Sequence, residues 1–300
     1  MTAERSVLLV THTGRENAVL AAQLAGTKLL AAGLAVRLPS TDARDLPLDG
    51  ATVVPAGPGA AEGCELVVVL GGDGTLLRGA ELARGSGAAL LGVNLGHVGF
   101  LAEAEEEDLT AVVDRLVARE YTVEERMTLD AIVLRDGVEI ASNWAVNDAS
   151  VEKISRERMI EVVVEVDGRP LSRWGCDGVV CATPTGSTAY AFSAGGPVVW
   201  PQVEALLLVP LSAHALFSKA IVVAPTSVLA VELGASQGNE AVLWCDGRRM
   251  VELSVGDRLE VRRGALPLKL ARLHQLPFTD RLVRKFDLPV EGWRGRRSRP

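Results

Sequence analysis

The sequence predicts an α/β domain followed by an antiparallel all-β domain, and three observations carry that reading. Over roughly the first 125 residues, apolar strand-like runs alternate with helical periods. Near Glu125 the helical period nearly vanishes and does not return until about Leu273. Within that second stretch, Asp136-Gly137, Asp167-Gly168 and Asp246-Gly247 each join two strand-like runs, the pattern of a two-residue hairpin. The domains are therefore expected at 1–125 and 126–275, with a closing segment at 276–300.

In the first domain, Ser6–Val10 reads as a short buried strand and Ala18–Leu30 as an Ala/Leu-rich helix ending near Gly33. Ala35–Leu38 is a second strand. Pro39–Gly63 has no clear period and reads as loop or poorly ordered chain. Val67–Leu70 is a buried strand that runs into Gly71-Gly72-Asp73-Gly74-Thr75 and then a helix ending at Gly85–Gly87. Ala88–Val93 is another buried strand, leading into a second Gly-rich turn at Asn94–Leu101. The acids Glu105–Asp108 precede a helix at Leu109–Val117, where the dipole favours negative charge. Strands alternating with helices give a mostly parallel sheet, whose ligands bind at the carboxyl ends of strands, and both Gly-rich turns sit there.

The turn Gly71–Thr75 presents backbone N–H groups beside a helix start, an arrangement that suits phosphate. It lacks the Lys-Ser/Thr of a P-loop and the spacing of the dinucleotide fingerprint. Asp73 is a carboxylate inside a phosphate cradle. Phosphate repels it unless a metal lies between them or the acid takes a proton from a nucleophile, and both uses point to phosphoryl transfer. In the β half, Asn147-Asp148 and the run Asp177–Pro197 break the hairpin logic. Thr185, Gly186, Ser187 and Thr188 offer hydroxyls and backbone amides, with Tyr190 and Phe192 close behind, as expected of a nucleoside loop. Asp136, Asp167 and Asp246 are most simply turn residues.

Composition removes other classes. Hydrophobic residues make up 48% of the 300 residues, so the chain is globular, and a net charge of −7 argues against nucleic acid as a partner. No apolar run approaches the roughly 18 residues of a membrane span. Met1–Arg5 is polar, and no signal peptide is expected. Cys64, Cys176, Cys181 and Cys245 show neither zinc nor Cys-x-x-Cys spacing, and read as reduced, buried thiols of a cytoplasmic protein.

Gly71–Thr75, Asn147-Asp148 and Asp177–Pro197 together resemble the NAD kinase family. The resemblance extends over nearly the whole chain, through Val209–Leu216 with His214, and Phe278–Phe286. The Gly-Gly-Asp-Gly-Thr turn is shared with diacylglycerol and sphingosine kinases, whereas the Thr-Pro-Thr-Gly-Ser-Thr-Ala-Tyr island is far more specific. Asp148 departs from the Glu of most relatives by one methylene.

The resemblance implies a Rossmann-like first domain, a β-sandwich second domain and a C-terminal segment packing back on the first, the fold shared with diacylglycerol kinases. It implies phosphoryl transfer from ATP, or from inorganic polyphosphate, to the 2′-hydroxyl of the adenosine ribose of NAD or NADH. Asp73 would be the base or would orient that hydroxyl. Gly72 and Gly74 would let amides approach phosphate, and Arg78 would face it. Asn147 and Asp148 would bind ribose hydroxyls. Thr188, Ala189, Tyr190, Ala191, Phe192 and Ser193 would line the dinucleotide. Asp177 would bind substrate and face a subunit contact in a dimer or tetramer. Arg158 would lie near the site, and Gly175, where some relatives carry Arg, would leave room beside Asp177. Asp246 would either close its hairpin or reach a neighbouring subunit's site. Mg²⁺ or another divalent cation would come with the donor, with no metal site built by the protein alone. The basic tail, Arg294–Arg299, reads as a solvated terminus. Two other classes share some features: a lipid or sugar kinase, which would need an apolar acceptor pocket, and an NAD-sensing module, which would have little use for Asp73.

Overall fold

The computed structural model describes residues 5–94, 99, 104–105, 109–235, 240–273 and 277–290. The chain forms two compact units, Met1–Glu125 with Leu268–Pro300, and Arg126–Pro267.

The first unit runs β1 (Ser6–Thr11), α1 (Glu16–Ala31), β2 (Ala35–Pro39), β3 (Thr52–Val54), β4 (Leu66–Leu70), α2 (Asp73–Ala83), β5 (Ala89–Asn94), β6 (Ala104–Glu105), α3 (Leu109–Val117) and β7 (Thr122–Arg126). The sheet order is β3-β2-β1-β4-β5, continuing through a later strand to β7, with β6 paired to β5. β1, β4 and β5 are buried along their whole length, as their continuous apolar runs require of a sheet covered on both faces. α1 buries Ala18, Ala21, Ala22, Ala25 and Leu29, one stripe at helical spacing. The strand order reverses between β1 and β4, and the turn after β4 is Gly71–Thr75. Ligands of such sheets bind at that switch point.

Residues 40–63 are mostly loop and turn, one of the two forms expected from sequence, and they carry the short strand β3. Asp42 and Leu46 are fully buried there, and β3 closes the sheet edge against β2. Their anchors are single side chains meeting distant partners, which leave no periodic signal. Most of the second Gly-rich turn, the acids 106–108 and the tail from 291 lie outside the described residues.

The second unit contains β8 (Leu129–Arg135), β9 (Val138–Ala145), β10 (Asp148–Lys153), β11 (Ile160–Val166), β12 (Arg169–Cys176), β13 (Gly178–Ala182) and the short helix α4 (Tyr190–Ser193). β14 (Leu206–Leu211), β15 (Ile221–Val223), β16 (Leu229–Leu233), β17 (Ala241–Cys245), β18 (Arg249–Leu253) and β19 (Arg258–Arg263) follow. They make two six-stranded antiparallel sheets, β15-β14-β13-β10-β17-β18 and β12-β11-β16-β19-β8-β9, around one apolar core that includes Trp174, Val162, Val179 and Leu243. All three Asp-Gly hairpins form, with φ of 52°, 53° and 55° at Asp136, Asp167 and Asp246 and positive φ at each following glycine.

The last strand, β20 (Leu268–Arg272), pairs with β5 and lies beside β7, so the chain re-enters the first unit at 268, ahead of the 276 expected from sequence. α5 (Phe278–Phe286) follows it. No helix of the described residues is long and apolar enough to cross a membrane.

A polar knot closes the first unit. Arg5 pairs with both oxygens of Glu65 at 2.8 and 2.9 Å and donates to the carbonyls of Leu116 and Val117 at the end of α3. Tyr121 donates its hydroxyl to the same carboxylate. The Arg5 hydrogen bonds hold Glu65 down to about 2 from an ordinary 4.5, and burial with this contact raises Tyr121 to about 12. As pH falls, the unfolded chain takes up the Glu65 proton first, so the knot's stabilisation is full above about 4.5 and is lost towards 2. Urea unfolding followed from pH 6 to pH 2.5 is expected to show a smaller loss of stability for Glu65→Gln than for wild type; equal slopes would disprove the assignment.

Candidate active site

In the first unit the site is built on the β4–α2 connection. Gly72 starts α2 in an extended conformation, and no side chain caps the helix, which leaves its first amides to another acceptor. A Cβ on Gly72 or Gly74 would meet nothing within 4 Å, so both face open space. Asp73 is the first residue of α2, and its Oδ1 is buried without a hydrogen-bond partner among the described residues. Gly99 lies against this carboxylate: a Cβ there would fall 2.5 Å from Oδ1. The second Gly-rich turn flagged its region, but no local pattern pairs Gly99 with Asp73.

Arg78 corrects the sequence reading. Its guanidinium is bidentate on Asp42, at 2.7 and 2.6 Å, and also donates to the Thr11 carbonyl at 2.7 Å. Asp42 is wholly buried and also accepts the Thr11 N–H at 3.0 Å. A carboxylate in that setting needs a counter-charge, and Arg78 supplies it. The guanidinium thus ties α2 to the end of β1.

In the second unit, Asn147 and Asp148 enter β10, the strand between β13 and β17. Asn147 accepts from Thr183 N–H at 2.9 Å, and Asp148 accepts, at its carbonyl, from Asp246 N–H at 2.9 Å. The Asp246 carboxylate accepts from Val146 N–H at 2.9 Å and Asn147 N–H at 2.7 Å, and pairs with Arg249 at 2.8 Å. Asp246 is therefore both a hairpin residue and the clamp on Asn147. Its side chain is 2% exposed and committed within the unit. Asp148 is buried, and burial first, then the charges of Asp246 and Glu152, push its carboxyl up to about 7.

The Thr/Ser loop spends its hydroxyls on itself. Thr183 Oγ1 donates to Val146 O and accepts from Gly186 N–H. Ser187 Oγ donates to Pro184 O and accepts from Val199 N–H. Thr188 Oγ1 donates to Thr185 O at 3.3 Å. Of the hydroxyls expected to meet a ligand, those of Ser187 and Thr188 fold the loop, and Gly186 lets it close: a Cβ there would overlap Asn147 O. Ala191 is also corrected, because it is fully buried against Val180, Ala182, Leu207 and Val209. Ala189 is half-buried, whereas Tyr190, Phe192 and Ser193 are exposed.

Gly175 lies in β12 opposite Glu161, between the fully buried Trp174 and Cys176, so its missing side chain faces away from the core. A Cβ there would meet only Met159 Cε at 3.7 Å. Two residues on, Asp177 pairs with Lys153 at 2.5 Å, a partner the sequence reading missed; this contact and the nearby Ser212 and His214 lower its carboxyl. Arg158 is exposed on the 154–159 connection.

Comparison with known proteins agrees with this arrangement. Residues 7–121 match the ATP-NAD kinase N-terminal domain and residues 146–273 the ATP-NAD kinase C-terminal domain. A Streptomyces avermitilis protein named NAD kinase 2 is 62% identical over 296 residues, 98% of each chain. This chain belongs to the NAD kinase family. The yeast NADH kinase solved with NADH shares the fold, with a TM-score of 0.84 at 23% identity over 99% of this chain and 90% of that one. An Archaeoglobus fulgidus NAD kinase solved with ATP has a TM-score of 0.71 at 25% identity, over 95% of this chain and all of that one.

Because Arg78 pairs with Asp42, Asp42→Ala strands a partly buried guanidinium and the Thr11 N–H. A loss of about 3 kcal/mol is expected in urea unfolding. A loss below about 1 kcal/mol, the level of an exposed pair, would show that the contact is not structural.

Proposed function

We propose that the protein transfers the terminal phosphoryl group of ATP, or of inorganic polyphosphate, to the 2′-hydroxyl of the adenosine ribose of NAD, giving NADP. The observation that carries this reading is Asp73: a carboxylate with one buried, unpartnered oxygen at the uncapped start of a helix, directly after two glycines. Such an oxygen is placed to accept a proton. The acceptor hydroxyl gives its proton to Asp73, its oxygen bonds to the terminal phosphorus, and the bond from that phosphorus to the bridging oxygen breaks to release the donor diphosphate. The amides at Gly72 and Gly74 steady phosphate. Asn147 and Asp148 hydrogen-bond the ribose, and Tyr190, Phe192 and Ser193 line the dinucleotide.

Among the described residues no group of three or more His, Cys, Asp or Glu side chains is placed to hold a metal. Mg²⁺ is commonly held by one or two carboxylates plus substrate phosphates, so the residues fit an ion that arrives with the donor and touches the protein at Asp73. When bound, the ion neutralises charge developing on the transferred group. The enzyme on this reading is cytoplasmic and homo-oligomeric. All four thiols are buried and unpaired, as in a reducing compartment, and the exposed Leu171, Leu216 and Phe217 support self-association.

Purified protein with Mg²⁺-ATP and NAD is expected to form NADP, and absence of NADP would overturn the reading. Asp73→Asn is expected to keep the fold and lower kcat by roughly 10²–10⁴, the range for a positioned base. Retention of more than a tenth of wild-type kcat would remove Asp73 from that role.

Gly175 gives a second expectation. β12 carries no bulge at this residue, and the space is open. The oxidised nicotinamide ring is planar and the reduced ring puckered, and a bare glycine leaves room for either. NAD and NADH are expected to react with kcat/KM values within about tenfold, or roughly 1.4 kcal/mol. Gly175→Arg is expected to suppress the NADH reaction more than the NAD reaction. A wild-type preference above a hundredfold, or equal slowing of both by the variant, would make Gly175 purely structural.

A further inference from the structure

We propose that Arg249 is a positioning residue for the nucleoside: acting through Asp246, it holds the backbone of Asn147 and Asp148 where the ribose is received. The inference rests on the reading of Asn147 and Asp148 as ribose contacts.

Three side chains and one stretch of backbone form a closed circuit within the second unit. β9 ends at Ala145, directly after Trp144. The Arg249 guanidinium lies over the Trp144 ring, 4.4 Å from its centroid. The same guanidinium donates to Asp246 Oδ2 at 2.8 Å. Asp246 in turn accepts the N–H groups of Val146 and Asn147, the residues that follow the strand carrying Trp144. The exit of β9 therefore supplies both the ring that seats Arg249 and the amides that its partner grips. Asp246 stands at φ 55° in the β17–β18 turn, which fixes where its carboxylate begins. Thr183 and Gly186 close the other side of Asn147 through its carbonyl.

The charge on Asp246 is what the circuit protects. Its side chain is 2% exposed, and an isolated carboxylate there would take a proton. A protonated carboxyl has a hydroxyl where it previously had an acceptor, and it can no longer hold two amides and a guanidinium at once. Loss of Arg249 therefore loosens the turn at 146–147, and Asn147 and Asp148 with it, although Arg249 itself need not touch substrate. A residue that merely stabilised the fold would weaken both substrates alike or neither.

The test uses the full-length protein. Arg249→Met keeps an unbranched stem against Trp144 and removes the charge; Arg249→Lys keeps the charge and removes the fork. KM is measured for NAD and for ATP in NADP formation, with NAD affinity also read by calorimetry. Arg249→Met is expected to raise KM and Kd for NAD by about tenfold while KM for ATP stays within about twofold. Arg249→Lys is expected to recover most of the loss. In an Asp246→Asn background, Arg249→Met is expected to add less than about twofold, because the two residues act as one unit. Equal shifts for NAD and ATP, unchanged NAD affinity, or full additivity with Asp246→Asn would each overturn the proposal. Should Arg249→Met fail to fold, Trp144→Leu removes only the ring beneath the guanidinium. A rise of about threefold in KM for NAD alone supports the circuit, and no rise overturns it. A wild-type protein that forms no NADP sinks the kinase reading itself; an active wild type with unaltered NAD affinity in Arg249→Met sinks only this inference.

Discussion

A carboxylate taken out of water must be met by donors or give up its charge, and four aspartates meet that constraint in different degrees. Asp42 is fully met, by a bidentate Arg78 and the Thr11 amide. Asp246 is met by two amides and Arg249. Asp148 is buried beside other acids, and its carboxyl rises to about 7. Asp73 keeps one buried oxygen with no partner among the described residues. The first two are anchors that give the fold its shape near the site. The last two retain binding capacity, and they fall in the two motifs where a substrate is expected.

Topology brings the anchors to the right places. β10 is an interior strand, so its entry at Asn147-Asp148 is flanked on both sides, by the loop after β13 and by the turn after β17. Residues 147, 183 and 246 are far apart in the chain yet share hydrogen bonds because β13 and β17 both pair with β10. The Thr183–Thr188 loop can then be rigid without any ligand. The hydroxyls of Thr183, Ser187 and Thr188 already bond within the protein, so a bound nucleoside would bear less of the cost of ordering it.

Much of this was legible in the sequence where the signal is local. Asp-Gly marked all three hairpins, since φ > 0 at both turn positions is a property of those two residues. Gly71–Thr75 marked the strand-to-helix turn for the same reason. The family followed from motifs confined to short stretches. What the sequence did not show depends on partners far along the chain. Arg78 looked like a phosphate ligand because Asp42, 36 residues earlier, lies in a stretch with no period. Asp246 looked like a turn residue and is one, but its grip on Asn147 spans 99 residues. The Ser and Thr hydroxyls looked available because composition reports donors and acceptors without reporting which are taken. Gly99 was missed because the reason for its lack of a side chain is the Asp73 carboxylate, and that contact exists only after folding.

The unequal treatment of Asp148 and Asp246 also says where a shared proton would reside. Burial pushes both carboxyls up, and each raises the cost of ionising its neighbour. Asp246 has amide donors and a guanidinium aimed at it, all of which favour its anion. Asp148 has the Tyr190 amide as its opposing contribution and the nearby Glu152 charge against it. Asp148 is therefore the more readily protonated of the two, and Asp246 the better placed to hold the backbone as an anion. A ribose presents hydroxyls that both donate and accept, so a carboxyl able to exist in either form near neutrality can match whichever role the hydroxyl takes. A fully ionised Asp148 could only accept, and would do so against the field of its neighbour.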